Sequence, residues 1–130
     1  MLILDASALY EVVVGARRAE LIRHRIDADP ELAAPHVIDV EVLSTIRRDY
    51  MLGKLDLTLA RQAVTDLQAW PGERFAHINL VNRAWELRNN VRAWDAFYVA
   101  LAEVLRGTLV TLDTRLANAS GMRCQVEVIR

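Results

Sequence analysis

The sequence predicts an α/β chain, a three-layer α/β/α sandwich around a central, mainly parallel sheet of about five short strands. Short apolar runs, such as residues 2–4 and 109–112, are too brief for helices. Their apolar character, broken only by Thr111, suits strands covered on both faces. Between them lie longer segments whose apolar residues recur at helical spacing, and strands alternating with helices build parallel sheets through right-handed crossovers. With 130 residues, 53% of them apolar, the chain suits one domain, 1–130, with a full core.

The elements follow in order. Leu2, Ile3 and Leu4 form the first strand, and a short helix runs from Ser7 to about Val13, ending near Gly15. Residues 16–27 carry Ala19, Ile22 and Ile26 on one helical face. A second strand lies between Pro30 and Pro35. Residues 36–52 form a helix with Val42, Ile46 and Tyr50 four apart, stopped at Gly53. Leu59, Ala63, Val64 and Leu67 mark a helix over 57–69. The stretch RFAHI after the Pro71-Gly72 turn reads as a weak third strand. Two helices follow, over 79–89 with Val81, Ala84 and Trp85 inward, and over 93–106 with Trp94, Phe97, Tyr98, Leu101 and Leu105. Gly107 ends the second. A strand over 109–112, a helical turn and a last strand over 125–129 complete the chain. The three tryptophans read as helix packing residues. Cys124 reads as a small buried residue of the last strand.

Composition narrows the function classes. A net charge of −1 does not announce a nucleic-acid binder. Lys54 is the only lysine, and the other fifteen cations are arginines, which suit bidentate phosphate contacts. One cysteine permits neither an internal disulfide nor a thiolate metal cluster. No apolar run reaches the length of a membrane span and no leader pattern opens the chain, so a soluble, cytoplasmic protein is expected. His24, His36 and His77 lack metal-ligand spacing, and no glycine-rich phosphate loop or nucleophile elbow occurs.

The informative residues are acids. Two apolar strands far apart in sequence each end in a carboxylate, Asp5 and Asp113. In a parallel sheet all strand carboxyl ends share one edge, where ligands bind at the point of strand-order reversal. Asp95 lies on a helix with little polar face, and Glu41 opens a polar stripe with Ser44, Thr45 and Arg48. Each has a plainer reading. Asp5 and Asp113 could cap the turns that follow them. Glu41 could pair with Arg48 or lie solvated, and Asp95 could answer a helix dipole. Converging together, they would repel unless a cation sat among them. Mg²⁺ fits that role, since it takes carboxylate oxygens, keeps waters and serves phosphodiester chemistry. Ser7 and Thr111, each two residues from an acid, could orient ligands.

The stretches LILDASAL, EVLSTIRR from Glu41, WDAFYVALAE from Trp94 and LVTLDTRLA stand in order along nearly the whole chain. With them the sequence resembles PIN domains, and among these the VapC toxins of type II toxin–antitoxin modules. The resemblance implies a Mg²⁺- or Mn²⁺-dependent endoribonuclease acting on structured RNA, tRNA or ribosomal RNA. Its acidic site would be Asp5, Glu41, Asp95 and Asp113, with Ser7 and Thr111 as polar companions. It implies one or two ions, in-line attack of an activated water on the phosphorus, and departure of the 3′-oxygen. It also implies a VapB-like antitoxin that can reach the acidic site, and a homodimer formed through helices. Arg92 and Arg115 are candidate holders of flanking phosphates or ordinary surface charge. Asp39 departs from the family's usual apolar position. It lies about 160° around the helix from Glu41 and is expected to be exposed.

Three other readings use the same acids. A receiver-like, Mg²⁺-binding signalling domain needs a lysine after a late strand, whereas Lys54 follows a helix. An aspartate-nucleophile phosphatase needs a second Asp two residues after the first, and DAS lacks it. A catalytically inactive PIN-like binding module would keep the fold without cleavage.

Overall fold

The strands order themselves by burial. In the computed structural model, which describes residues 1–130, Leu2, Ile3 and Leu4 are fully buried and form β1 (Leu2–Leu4). This strand is flanked by β2 (Leu32–Pro35) and β4 (Thr108–Thr111), while β3 (Glu73–Phe75) and β5 (Gln125–Val128) form the edges. The order is β3-β2-β1-β4-β5, and every pairing is parallel. Unbroken apolar sequence is therefore confined to the inner strands, where both faces are covered.

Four helices lie within the first two crossovers: α1 (Ala6–Val14), α2 (Ala19–Ala28), α3 (Val37–Met51) and α4 (Leu57–Ala69). They pack on one another, with α1 at their centre. After β3 the chain turns back across the sheet. A 3-10 turn (Ile78–Leu80) leads into α5 (Val81–Glu86), and α6 (Ala93–Leu105) packs on β1, β2 and β4. The short α7 (Thr114–Ala117) precedes β5. Right-handed crossovers running in opposite directions require helices on opposite faces. The direction changes between β1 and β4, so the carboxyl ends of those neighbours frame a crevice. Leu4 lies opposite Val110, and the Asp5 backbone N–H donates to the Val110 carbonyl at 3.1 Å. Asp5 and Thr111 therefore leave the sheet side by side.

Several elements differ from their sequence-based outlines. The helix expected over 79–89 is a 3-10 turn and barely two turns of α5. Val81 and Trp85 point outward, Trp85 being 66% exposed with the Arg88 guanidinium 4.5 Å from its ring centre. Only Leu80, Ala84 and Leu87 of that segment are buried in the core. Trp94 is also outside, whereas Trp70 is buried. Cys124 is half-buried just before β5 rather than within it. Helix α6 closes on Arg106, whose φ of 54° is left-handed. Gly107 serves a different need, because a Cβ there would stand 2.4 Å from Ile3 Cδ1. Asp39 faces away from Glu41, as expected, but is only half-exposed: its carboxylate takes two bonds from the Arg74 guanidinium, at 2.9 and 3.2 Å.

Candidate active site

Asp5 is set by the end of β1 and the start of α1. It is 6% exposed and caps that helix, accepting from the Ala8 N–H at 3.0 Å. The Ser7 hydroxyl donates to it at 2.6 Å, and the Thr111 hydroxyl, fully buried at the end of β4, donates to its other oxygen. Both hydroxyls also accept backbone donors, Ser7 from Leu112 at 3.1 Å and Thr111 from Asp113 at 3.0 Å. These two short side chains thus tie the ends of β1 and β4 around one carboxylate. Burial pushes the Asp5 carboxyl above its usual range. The donors from Ser7, Thr111 and Ala8 resist the rise, and the nearby Asp95 charge adds to it.

Glu41 comes from the second turn of α3 and meets the opposite face of the sheet through Tyr98. That tyrosine is 1% exposed, and its hydroxyl donates to Glu41 at 2.8 Å. Burial raises the Glu41 carboxyl, the Tyr98 bond opposes the rise, and the charges of Asp95 and Asp5 reinforce it. The alternative pairing with Arg48 does not form, because Arg48 turns to Asp49 at 3.3 Å. Burial and the Glu41 carboxylate push the Tyr98 phenol far above its ordinary range.

The other two acids are more open and carry partners. Asp95 sits in the first turn of α6, 3.4 Å from Arg92, and is half-buried rather than enclosed. Asp113 caps α7 and accepts from the Arg115 backbone N–H at 2.9 Å. Burial acts to raise its carboxyl, but that N–H and the Arg115 guanidinium at 3.4 Å outweigh it and hold the group below its usual range. The capping roles of Asp5 and Asp113 are therefore real. They leave both residues on the wall of the same cavity.

That cavity, of about 630 Å³, is lined by all four acids and by Ser7. Thr111 lies behind it. Arg92 stands on its wall, while Arg115 lines an adjoining cleft with Arg92, Asp95 and Asp113. Tyr10, Trp94, Tyr98 and Arg48 also line the main cavity and were not assigned to a site from sequence. Tyr98 carried a usable signal, since it stands three residues after Asp95 and so on the same helical face. No ion pair reaches Asp5 or Glu41. The donor set is carboxylate and hydroxyl oxygen, which suits a hard cation. No three His, Cys, Asp or Glu side chains are gathered at ligating range, so an ion here would need water to complete its shell.

The family model of the PIN domain matches residues 2–122. The chain belongs to the PIN-domain family, among its VapC members. Ribonuclease VapC1 of Mycobacterium tuberculosis is 33% identical over 129 residues, covering 98% of this chain and 97% of the relative. Ribonuclease VapC9 of the same organism is also 33% identical over 129 residues, covering 99% and 98%. Among solved structures, a toxin–antitoxin complex from Klebsiella pneumoniae aligns with a TM-score of 0.73 at 18% identity, covering 100% of this chain and 98% of that one. PAE2754 from Pyrobaculum aerophilum aligns with a TM-score of 0.71 at 22% identity, covering 98% and 83%. These structures share the fold of this chain. No helix of this PIN domain is long and apolar enough to cross a membrane.

Proposed function

We propose that this PIN domain is a Mg²⁺- or Mn²⁺-dependent endoribonuclease, the toxin of a toxin–antitoxin pair, cutting structured RNA such as tRNA or ribosomal RNA. One observation carries the reading: the four predicted acids, with Glu11 beside them, line a single cavity at the strand-order reversal, and two of them, Asp5 and Glu41, have no cationic partner, whereas Glu11 pairs with Arg18. Full-length relatives named ribonucleases support it. Asp5, Glu41, Asp95 and Asp113 would hold the ion. When bound, such an ion supplies charge neutralisation at the phosphodiester and an activated water.

The protein's own groups do the positioning. Ser7 and Thr111 fix both oxygens of Asp5, and Tyr98 fixes Glu41, so neither carboxylate must reorganise as charge develops. Arg92, on the cavity wall, holds a phosphate beside the scissile one, and Arg115 extends the same contact along the adjoining cleft. With a net charge of −1, RNA recognition rests on these local arginines and on RNA shape. The expected partners are a VapB-like antitoxin and a second copy of the chain, in the cytoplasm.

The test is cleavage of total tRNA and ribosomal RNA by the purified chain with Mg²⁺, with EDTA, and as the Asp5→Asn variant with Mg²⁺. Cuts are expected in the first reaction alone. Equal cutting in all three would remove the acids from the chemistry. Cutting in none would leave a binding module.

A further inference from the structure

The acidic cavity does not end at Asp95. Trp94 and Val40 form a wall that it shares with a second cleft, of about 600 Å³, lined also by His36, His77 and Phe97. The two clefts differ in chemistry, for no Asp, Glu, Lys or Arg lines the second. Its rings pack edge-on and tilted against one another, leaving the Trp94 indole as the exposed aromatic face. The His77 and Phe97 ring centres are 5.0 Å apart, and His36 meets His77 edge-on at 6.3 Å. Trp94 is 59% exposed, although its neighbours on α6 carry the core.

Two N–H groups on residues that line this cleft have no protein acceptor. His77 Nε2 accepts from the Val37 N–H at 2.9 Å, which places the ring proton on Nδ1. No protein group accepts from that Nδ1, nor from the indole N–H of Trp94. We propose that the cleft is a nucleobase subsite: a base next to the scissile phosphate leaves its stack and packs on the Trp94 indole. The His77 Nδ1–H donates to an acceptor on the edge of that base. The inference rests on the ribonuclease reading and adds to it what holds the RNA.

A base fits better than a protein segment for three reasons. The cleft lies across the Trp94–Val40 wall from the cavity proposed for the phosphate, as neighbouring parts of one nucleotide chain require. Arg92 stands on the acidic side of the dividing wall and not in the aromatic cleft, so charge and stacking are separated as phosphate and base are. Base acceptors match the two free donors, whereas an apolar helix would leave both unpaired. Stacking on an aromatic side chain is sequence-tolerant and contributes about 1–3 kcal/mol per base, or about 5- to 150-fold in affinity.

The test uses the Asp5→Asn chain, so that binding is measured without cleavage. Fluorescence anisotropy compares ten-nucleotide RNAs of A, C or U with an abasic ribose-phosphate ten-mer of equal charge. At least one base-bearing RNA is expected to bind fivefold or more tighter than the abasic strand. Trp94→Ala is expected to erase that gap while leaving the abasic affinity unchanged, and Trp94→Phe to keep most of it. A gap that survives Trp94→Ala, or no gap in the parent chain, overturns the subsite. So does a Trp94→Ala variant that weakens both ligands equally. Sedimentation of the same variants covers the other occupant: a dimer lost with Trp94→Ala, with no base-dependent binding, assigns the cleft to a second copy. Failure of cleavage with the gap intact would instead strike the ribonuclease reading alone.

Discussion

Replacing Thr111 by valine probes the join between β1 and β4 with little change of shape. Thr111 is fully buried, and its hydroxyl donates to the Asp5 carboxylate and accepts from the Asp113 N–H. A methyl group fills the same space, so no cavity term enters. A hydrogen bond to a charged group contributes about 1.5–3 kcal/mol. Ser7 and Ala8 remain as donors to Asp5, and the half-exposed Asp113 N–H can turn to water. The expected loss is about 2 kcal/mol at neutral pH, or about 8 °C in Tm for a chain of this size. Asp5 is raised above its ordinary value of 3.8, so the folded state binds its proton more tightly than the unfolded state does. Its ionisation therefore costs stability as pH rises through the folded value, and that cost is relieved as pH falls toward 3.8. Thr111→Val raises the folded value further, because a donor to the ionised form is lost. The gap between variant and parent must then narrow on acidification. Urea unfolding in EDTA at neutral pH and near pH 4, close to the ordinary carboxyl value of 3.8, measures it. A loss below about 0.5 kcal/mol at neutral pH, or a gap that widens in acid, would refute this account of Asp5.

Two other substitutions separate the roles around the cavity. Tyr98→Phe keeps the buried ring but removes the donor to Glu41; it is expected to cost about 1 kcal/mol in stability and to raise the Mg²⁺ needed for half-maximal cleavage tenfold or more, read from a metal titration. Arg92→Ala is expected to weaken RNA binding across sequences and to lower the slope of log affinity against log salt by about one, which anisotropy at several salt concentrations measures.

Strand-ending carboxylates make the sheet edge legible in the sequence itself. Leu4-Asp5 and Leu112-Asp113 flank the strand-order reversal, and Glu41 and Asp95 reach it from opposite faces. Single-residue periodicity failed where an element was too short to average over. Helix α5 has only six residues, so the placing of Trp85 and Val81 depended on tertiary packing that periodicity does not carry. Trp94 misled for a related reason. An apolar residue in the first turn of a buried helix can project past the core, here onto the wall of the cavity. Arg48 was ambiguous because two acids lay within its reach. Asp49 secured it, and the same carboxylate accepts from the Tyr10 hydroxyl between α1 and α3. A sequence can place a carboxylate on a helix face, but which cation answers it is decided in three dimensions.

On the proposed function, a divalent ion joins the four acids. Crystals soaked in Mn²⁺ and measured at its absorption edge report this directly. The account requires an anomalous peak in the cavity, with oxygens of Asp5 and at least one of Glu41, Asp95 and Asp113 bound to the ion directly or through water. A fully occupied soak that leaves the cavity dark, or a peak held by other residues, would contradict it.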